Sequence, residues 1–397
     1  MKTLLIECGV AETRGALLDG GDVQAFFFAP ARGDEHLPRP AKAGDIYFGR
    51  VRSIVKSIGG AFVDIGEAQD GFIPFTNKSS QPNEGASLIT LVRRPALGGK
   101  GAVLSLDWQK DLKADEVQAV EARAANAKLG DCLNPCVDAA LEIAKCGVNA
   151  GVEIDSAEAA KTLKQTMLGD EINIGQDLFE HRTAEEALEA ALQRDVLLPG
   201  GGRLIFDQTE GPCVIDIDAG DAVGATSTSI NDKINSAAAS HLHTALSQRA
   251  IGGRIIVDFL PPSSAAARKG LQTATKGIAQ KFGGRAGNLS KDGLFDMTLP
   301  RTKQSLLERA TEPVGEDWPA PGRRLTLDWT AKEAIRKLER TLARMPSSRP
   351  RLIVSSALKS YLDDHGSWTA RLIAKYSARF SIDEDKTLES RTYDLVE

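Results

Sequence analysis

Asp216 and Asp258 each close a short apolar run, on two stretches about forty residues apart. The first reads Arg203-Leu-Ile-Phe-Asp207-Gln-Thr-Glu210, then Cys213-Val-Ile-Asp216-Ile-Asp218. The second reads Gly252-Gly-Arg-Ile-Ile-Val-Asp258-Phe259. A run such as Ile255-Ile256-Val257 favours burial in a sheet, so a carboxylate at its end stands where the strand leaves the core and meets solvent. Several carboxylates gathered there repel one another unless a cation shares them. Ligands that are all oxygen suit a hard cation such as magnesium, and magnesium on acidic side chains suits phosphoryl chemistry. Strand period two puts Asp216 and Asp218 on one face and Ile217 on the other. Depending on register, Asp207 or Asp258 joins them. Acidic residues also close strands and cap helices for structural reasons alone, so the joint pattern carries the argument rather than any one aspartate.

The elements that must hold these residues are legible in outline. Residues 196–310 alternate strand and helix, an α/β pattern, and Ser227 to Gln248 reads as the helix joining the two Asp-tipped strands. Thr3 to Gly9 and Arg14 to Leu18 read as strands, as does Glu171 to Gly175. From Gly44 to about Asp107, short alternating runs broken by Gly59-Gly60, Gly66 and Asp70-Gly71 predict a small β-barrel. Residues 109–148 are rich in Ala, Glu and Lys and predict a mainly helical segment. Asp155-Ser-Ala-Glu158 and Thr183-Ala-Glu-Glu186 have the form of helix starts. Residues 30–40 and 311–322 are proline-rich linkers. Ala331 to Met345 carries an amphipathic stripe.

The bulk numbers narrow the class. The chain has 397 residues, 42% apolar and 26% charged, with a net charge of −5, so it is not a globally basic nucleic-acid binder and a polyanion must meet local basic patches. The five cysteines (Cys8, Cys132, Cys136, Cys146, Cys213) are odd in number and scattered, which is no disulfide framework. Cys132 and Cys136 lack the histidine or cysteine partners of a zinc site. The start of the chain lacks the features of a signal peptide, and no apolar run has the length of a membrane span. A cytoplasmic protein is expected, with no membrane contact.

Gly44-Asp-Ile-Tyr-Phe-Gly49-Arg-Val51, Gly60-Ala-Phe62-Val-Asp64-Ile-Gly66 and Gly71-Phe72-Ile-Pro74 together resemble the S1 RNA-binding domain, a five-stranded OB-type barrel. The resemblance implies that Phe62 and Phe72 offer ring faces for base stacking. Lys100, in Gly98-Gly-Lys-Gly101, lies on a glycine loop suited to a phosphate. Between Lys42 and Lys110 nine lysines and arginines face six acidic residues, so this segment is locally basic.

The barrel and the Asp-tipped strands, taken in order with Asp177-Leu-Phe-Glu-His181, Gln193 to Gly201, Gly293-Leu-Phe-Asp-Met297 and Arg301, resemble the ribonuclease E/G family of bacterial endoribonucleases. The resemblance implies an α/β multidomain protein. Residues 1–40 and 150–195 would form a split RNase H-like subdomain, with an S1 (OB-type) β-barrel at 44–108 inserted in it. A helical segment at 109–149 would replace the 5′-sensor region, a DNase I-like α/β catalytic domain would span 196–310, and a small carboxy-terminal α/β domain would span 323–397. It implies an Mg2+-dependent endoribonuclease acting on single-stranded RNA and leaving a 3′-hydroxyl and a 5′-phosphate. Asp216 and Asp258 would be the catalytic metal ligands, and Asp218 would support the site. Phe62, Phe72, Lys100, Lys291 and Arg301 would contact RNA.

Departures from the family pattern are specific. Asp218 stands where the family usually has asparagine. Asp292 follows Lys291 unexpectedly. Residues 109–149 hold no match to the Arg-Thr element that senses a 5′-monophosphate, and the zinc-binding C-x-x-C link is missing, so no structural zinc is expected and a homo-oligomer is left open. The competing reading is a non-catalytic RNA-binding protein with a degenerate nuclease site. A phosphatase or DNA nuclease would leave the S1 segment unexplained.

Overall fold

The computed structural model describes residues 1–32, 34, 41–75, 81–96, 100–110, 112–134, 137–147, 149–166, 171–209, 211–220, 227–314 and 322–396. Glu210, Cys136 and much of both proline-rich linkers lie outside the described residues.

The chain opens as an antiparallel meander of β1 (Lys2–Cys8), β2 (Glu12–Asp19) and β3 (Asp22–Pro30). Sequence reasoning finds the first two strands and misses β3, where Phe26-Phe27-Phe28 shows no alternation. The reason is burial on both faces: Phe26 packs into one apolar cluster and Phe27 against another on the opposite side, and a strand covered twice needs no polar face.

A closed barrel follows, built from β4 (Ile46–Val55), β5 (Gly60–Asp64), β6 (Gly71–Pro74), β7 (Ser87–Arg94) and β8 (Val103–Ser105) in the order β4-β5-β6-β8-β7. It is consistent with an OB-type domain. Its interior is filled by Tyr47, Val51, Ala61, Val63, Ile65, Ile73, Val92 and Leu104. The following segment is less helical than expected. The helix α1 (Ala114–Ala124) caps the outside of the barrel through Val120, with Trp108 and Leu133. The short α2 (Ala139–Ala144) packs instead on the amino-terminal sheet. Among the described residues between them there is no further helix, and Cys132 forms a bridge to Tyr47. The alanine-rich composition signalled helix, but the barrel and the sheet each claim one end of the segment.

The chain returns to the first sheet with β9 (Gly151–Ile154), α3 (Ala157–Thr166) and β10 (Ile172–Ile174), completing the order β10-β9-β1-β2-β3 with β1, β9 and β10 parallel. Ser156, not Asp155, caps α3 by accepting from the Ala159 N–H. The Asp155 carboxylate accepts the Cys8 N–H at 2.8 Å. Two helices, α4 (Leu178–His181) and α5 (Ala184–Leu192), cover the other face of this sheet. Thr183 precedes α5 without a side-chain cap.

A six-stranded sheet comes next: β11 (Asp195–Leu197), β12 (Arg203–Gln208), β13 (Cys213–Asp218), then α6 (Ser227–Gln248), β14 (Gly253–Asp258), α7 (Ala265–Lys281), β15 (Arg285–Ala286) and β16 (Leu294–Leu299), ordered β11-β12-β13-β14-β16-β15. The connection expected between the Asp-tipped strands is α6. One face of the sheet packs on α6 and α7 through Leu204, Phe206, Ile215, Ile217, Ile255, Val257, Phe295 and Met297. The chain then runs through α8 (Leu306–Ala310), β17 (Thr311–Pro313), β18 (Arg323–Leu325) and α9 (Leu327–Arg344). It ends with β19 (Arg351–Val354), α10 (Ser356–Asp364), α11 (Gly366–Tyr376), β20 (Ser381–Glu384) and β21 (Tyr393–Val396). The three last strands form a small sheet in the order β20-β19-β21, on which α9 lays Ala331, Ala334, Ile335, Leu338 and Leu342. Among the described residues no helix is long and apolar enough to cross a membrane.

A buried ionic knot joins the amino-terminal sheet to the end of the chain. Arg14, 1% exposed, bonds Glu7 at 2.8 Å and Glu185 at 2.6 Å, and lies 3.9 Å above the Phe179 ring. Glu185 also meets Arg340 of α9 at 3.2 Å. Burial pushes Glu185 up, but the hydrogen bonds and charge of Arg14 overcome it and hold the carboxyl at about 2. Replacing Arg14→Ala takes from Glu7 its arginine and leaves Glu185 with Arg340 alone, and is expected to lower the unfolding free energy by about 3–5 kcal/mol, read from urea midpoints. Because the folded value of Glu185 lies below its ordinary 4.5, its contribution is complete at neutral pH and disappears as pH falls through both values.

Asp155 behaves oppositely. Burial pushes its carboxyl up to about 6 from 3.8, so its contribution is complete below the ordinary value and declines as pH rises through 6. Asp155→Asn keeps an acceptor for the Cys8 N–H. It is expected to raise stability at pH 7 relative to pH 4 by on the order of 1–3 kcal/mol, measured by denaturant titration at the two pH values.

Candidate functional site

Parity decides which side chains meet. In β13, Cys213, Ile215 and Ile217 face α6 and α7, which leaves Val214, Asp216 and Asp218 on the opposite face, the one uncovered by these two helices. In β14, Ile255 and Val257 are buried and Arg254, Ile256 and Asp258 share the uncovered face. The two strands pair in parallel, and the last register pair is Asp216 with Asp258. Adjacent strands lie about 4.8 Å apart, so both carboxylates rise side by side from the end of the sheet. Both are exposed, and among the described residues neither accepts a hydrogen bond nor forms an ion pair. Arg194 is near enough that the Asp216 charge contributes to raising its pKa, after the hydrogen bond from Arg194 to Asp207.

The loop behind Asp258 is pinned from both sides. Asn235 of α6 is buried, donating to the Leu260 carbonyl at 2.8 Å and accepting the Leu260 N–H at 3.1 Å. Asp232 accepts the Ser263 N–H. On the other side Phe259 N–H donates to the Gly293 carbonyl at 3.1 Å. Gly293 has φ 103°, and a Cβ there would come within 2.0 Å of the Phe259 carbonyl oxygen. Only glycine lets β16 start this close to Asp258.

The other expected residues divide. Asp218 stands on the same face as Asp216 but lies past the end of β14, opposite Arg203 of β12. Arg203 donates to it at 2.9 and 3.0 Å while also holding Asp195 at 2.8 Å. The Gly220 N–H and then Arg203 keep the Asp218 carboxyl below the usual range. Asp218 is thus drawn sideways, away from the pair. Asp207 lies opposite Val214 and is clamped by Arg194 at 2.7 and 2.8 Å. Lys291 is exposed in the loop leading to β16, whose first residue, Leu294, pairs with Asp258. Arg301 departs from expectation. It follows the opposite end of β16, where Leu299 pairs with Gly253, and it is bound to Glu308 of α8. Five residues of β14 separate its end of the sheet from Asp258, about 16 Å of strand, so it is not a neighbour of the aspartates.

Asp296 was not singled out from the sequence, yet it shares the uncovered face, opposite Ile256. The alternation in Phe295-Asp-Met297 is the signal that places it there. Among the described residues no group of three or more histidine, cysteine or acidic side chains is arranged to hold a metal ion. The available donors are the two carboxylates of Asp216 and Asp258, a set that suits a hard cation keeping most of its water. A cavity of about 370 Å³ between α6 and α7 is lined by Asp232, Asn235 and Leu271. It lies on the helix side of the sheet, away from the carboxylates.

On the barrel, Phe62 and Phe72 are register partners on β5 and β6 with ring centroids 5.4 Å apart. Both are half-buried and neither joins the barrel core, so the rings lie on the outer surface. Phe72 covers Gly60, where a Cβ would come within 2.2 Å of the ring. Lys100 is exposed, just before Ala102, whose carbonyl accepts the Phe72 N–H at 2.7 Å.

Residues 114–302 match the model of the ribonuclease E/G family. Ribonuclease G of Haemophilus influenzae is 24% identical in an alignment covering 91% of this chain and 93% of that protein. The chain is thus similar to the ribonuclease E/G family, over residues 114–302 by the family model and, at lower identity, over most of its length. The ribonuclease E/G-like chloroplastic protein of Arabidopsis thaliana is 29% identical over 47% of this chain and only 20% of its own length. Ribonuclease E of Escherichia coli is 30% identical over 33% of this chain and 13% of that protein. The chain thus spans a fifth or less of these longer relatives.

The match to the ribonuclease E/G family runs from α1 to just past β16 and so includes both aspartates, the pinned loop and Gly293. Gly293→Ala forces a residue with a Cβ into that backbone conformation and is expected to cost roughly 1–3 kcal/mol, checked by thermal unfolding, with the loss centred on the Asp258 loop in hydrogen exchange.

Proposed function

We propose that this chain is a Mg2+-dependent endoribonuclease that cuts single-stranded RNA, with Asp216 and Asp258 as the metal-holding pair and the S1-type barrel as the RNA grip. The carrying observation is the register pair itself: two exposed carboxylates, free of ion pairs among the described residues, at the end of the sheet within the segment that matches this family. In this reading the first sheet is the RNase H-like subdomain and the six-stranded sheet the DNase I-like one.

When bound, magnesium would supply Lewis acidity toward the scissile phosphate and toward water. The chain's own residues do the rest. Asp216 and Asp258 fix where the cation sits, and Asn235 and Gly293 hold the loop that orients Asp258. Without a cation the two carboxylates repel a phosphate, so the site engages RNA productively only when loaded. Lys291, exposed beside the start of β16, offsets negative charge on a neighbouring phosphate. Arg301, committed to Glu308, positions α8 instead. Asp218 anchors β13 to β12 through Arg203. Phe62 and Phe72 stack bases, each worth about 1–3 kcal/mol, with Lys100 beside them for a phosphate.

A second reading, a non-catalytic RNA-binding protein, draws on the sequestration of Asp218 by Arg203. Incubation with labelled single-stranded RNA and matched DNA, in magnesium and in chelator, separates the two. Magnesium-dependent cuts in RNA alone are expected. Asp216→Asn and Asp258→Asn should each abolish them while RNA binding persists, and Asp218→Asn should slow cleavage far less. Cleavage surviving in both single variants would reject the assignment.

A further inference from the structure

The uncovered face of the six-stranded sheet carries a second feature, four residues back along β14 from Asp258. Arg254 of β14 pairs with Thr298 of β16, and Thr298 pairs with Arg285 of β15. Register partners share a face, so Arg254, Thr298 and Arg285 form a row across three adjacent strands on the side that bears Asp216 and Asp258. All three are exposed. Among the described residues neither arginine donates a hydrogen bond or forms an ion pair. That is unusual for this sheet. Arg194 is held by Asp207, Arg203 by Asp195 and Asp218, and Arg301 by Glu308.

We infer that this row is a phosphate-binding subsite that holds the RNA strand away from the cleavage point, an inference that takes from the nuclease reading only the position of the cut. Two guanidinium groups on the strands that flank β16 repel each other, and an anion between them relieves that repulsion. Each guanidinium offers a planar fork that fits phosphate oxygens, and the Thr298 hydroxyl adds a donor between them. Four residues of strand put the row about 13 Å from Asp258, within reach of a nearby phosphate of an extended strand. The surface between is passable. Ile256 lies on the same face, Leu294 is 49% exposed, and both offer apolar area to a base. Asp296 lies against Gly287, where a Cβ would come within 2.3 Å of its Oδ1, so its carboxylate leans toward the β15 side and leaves the β14 line open. Charged residues also guard sheet edges against unwanted pairing, which would account for Arg285 on the edge strand β15. It does not account for Arg254, because β14 is an inner strand.

The test uses the full chain, the double variant Arg254→Gln/Arg285→Gln, and its lysine counterpart Arg254→Lys/Arg285→Lys. Binding of a labelled single-stranded RNA oligomer is followed by fluorescence anisotropy in chelator across a salt series. The glutamine pair should weaken binding about tenfold, equivalent to about 1.4 kcal/mol, and reduce the magnitude of the salt slope by about 0.7 for each phosphate contact removed. The lysine pair should recover most of the slope and less of the affinity. A scan placing one neutral methylphosphonate at successive positions should find a linkage that matters to the parent chain and not to the glutamine pair. Unchanged melting temperatures exclude misfolding. Equal affinity, slope and scan in parent and glutamine variant overturn the subsite, whether or not the parent cuts RNA. A parent that binds with the expected slope change yet makes no cuts in magnesium preserves the subsite and rejects the nuclease. A parent that binds no RNA overturns both.

Discussion

The site depends on one constraint: in a strand, the face a residue occupies is set by whether its position is odd or even. Ile215 and Val257 must be buried, because α6 and α7 cover that side. Their neighbours Asp216 and Asp258 are therefore forced onto the other side, and parallel pairing brings them level. A slip of one residue in either strand would drive a carboxylate into the apolar layer and an isoleucine or valine into water. The hydrophobic layer thus enforces the acidic geometry, and packing energy far larger than any carboxylate repulsion holds the two charges together.

The same logic explains what could be read from the sequence. The Asp-tipped runs, the helix between them and the barrel were legible because each is a local pattern of apolar spacing and turn residues. Pairings between distant residues were not. Nothing local says that Asp218 lies opposite Arg203, or that Arg301 bonds Glu308 at the far end of the sheet. These depend on register and on where α8 docks. Nor does anything local show where the charges near the end of the chain find their partners. In the fold Arg324 bonds Glu312, Arg336 lies 3.6 Å from Glu12 and Lys337 bonds Glu333. The strand β3 and the divided segment after the barrel were missed for a related reason, since burial on two faces and competition between two docking surfaces leave no periodic trace.

Charge is distributed to match. The chain is acidic overall, at −5, yet the barrel segment is locally basic, and the uncovered sheet face places Arg254 and Arg285 at one end and Asp216 and Asp258 at the other, all four unpaired among the described residues. Glu7, Glu12 and Glu185 are matched by cations inside the fold, while Asp216, Asp258, Arg254 and Arg285 have no ion-pair partner among the described residues. Exposed like charges that find no partner within a fold raise its electrostatic energy, and a ligand of opposite sign lowers it.

Glu12 shows how late this protein becomes complete. It is 2% exposed, and the cations that neutralise it, Arg309, Lys332 and Arg336, come from α8 and α9 some three hundred residues downstream. During synthesis the first hairpin leaves the ribosome long before those helices exist. Its glutamate must then stay hydrated, because burying it without its cations would cost several kcal/mol. The amino-terminal meander therefore waits, open on one side, until the last quarter of the chain emerges to close it.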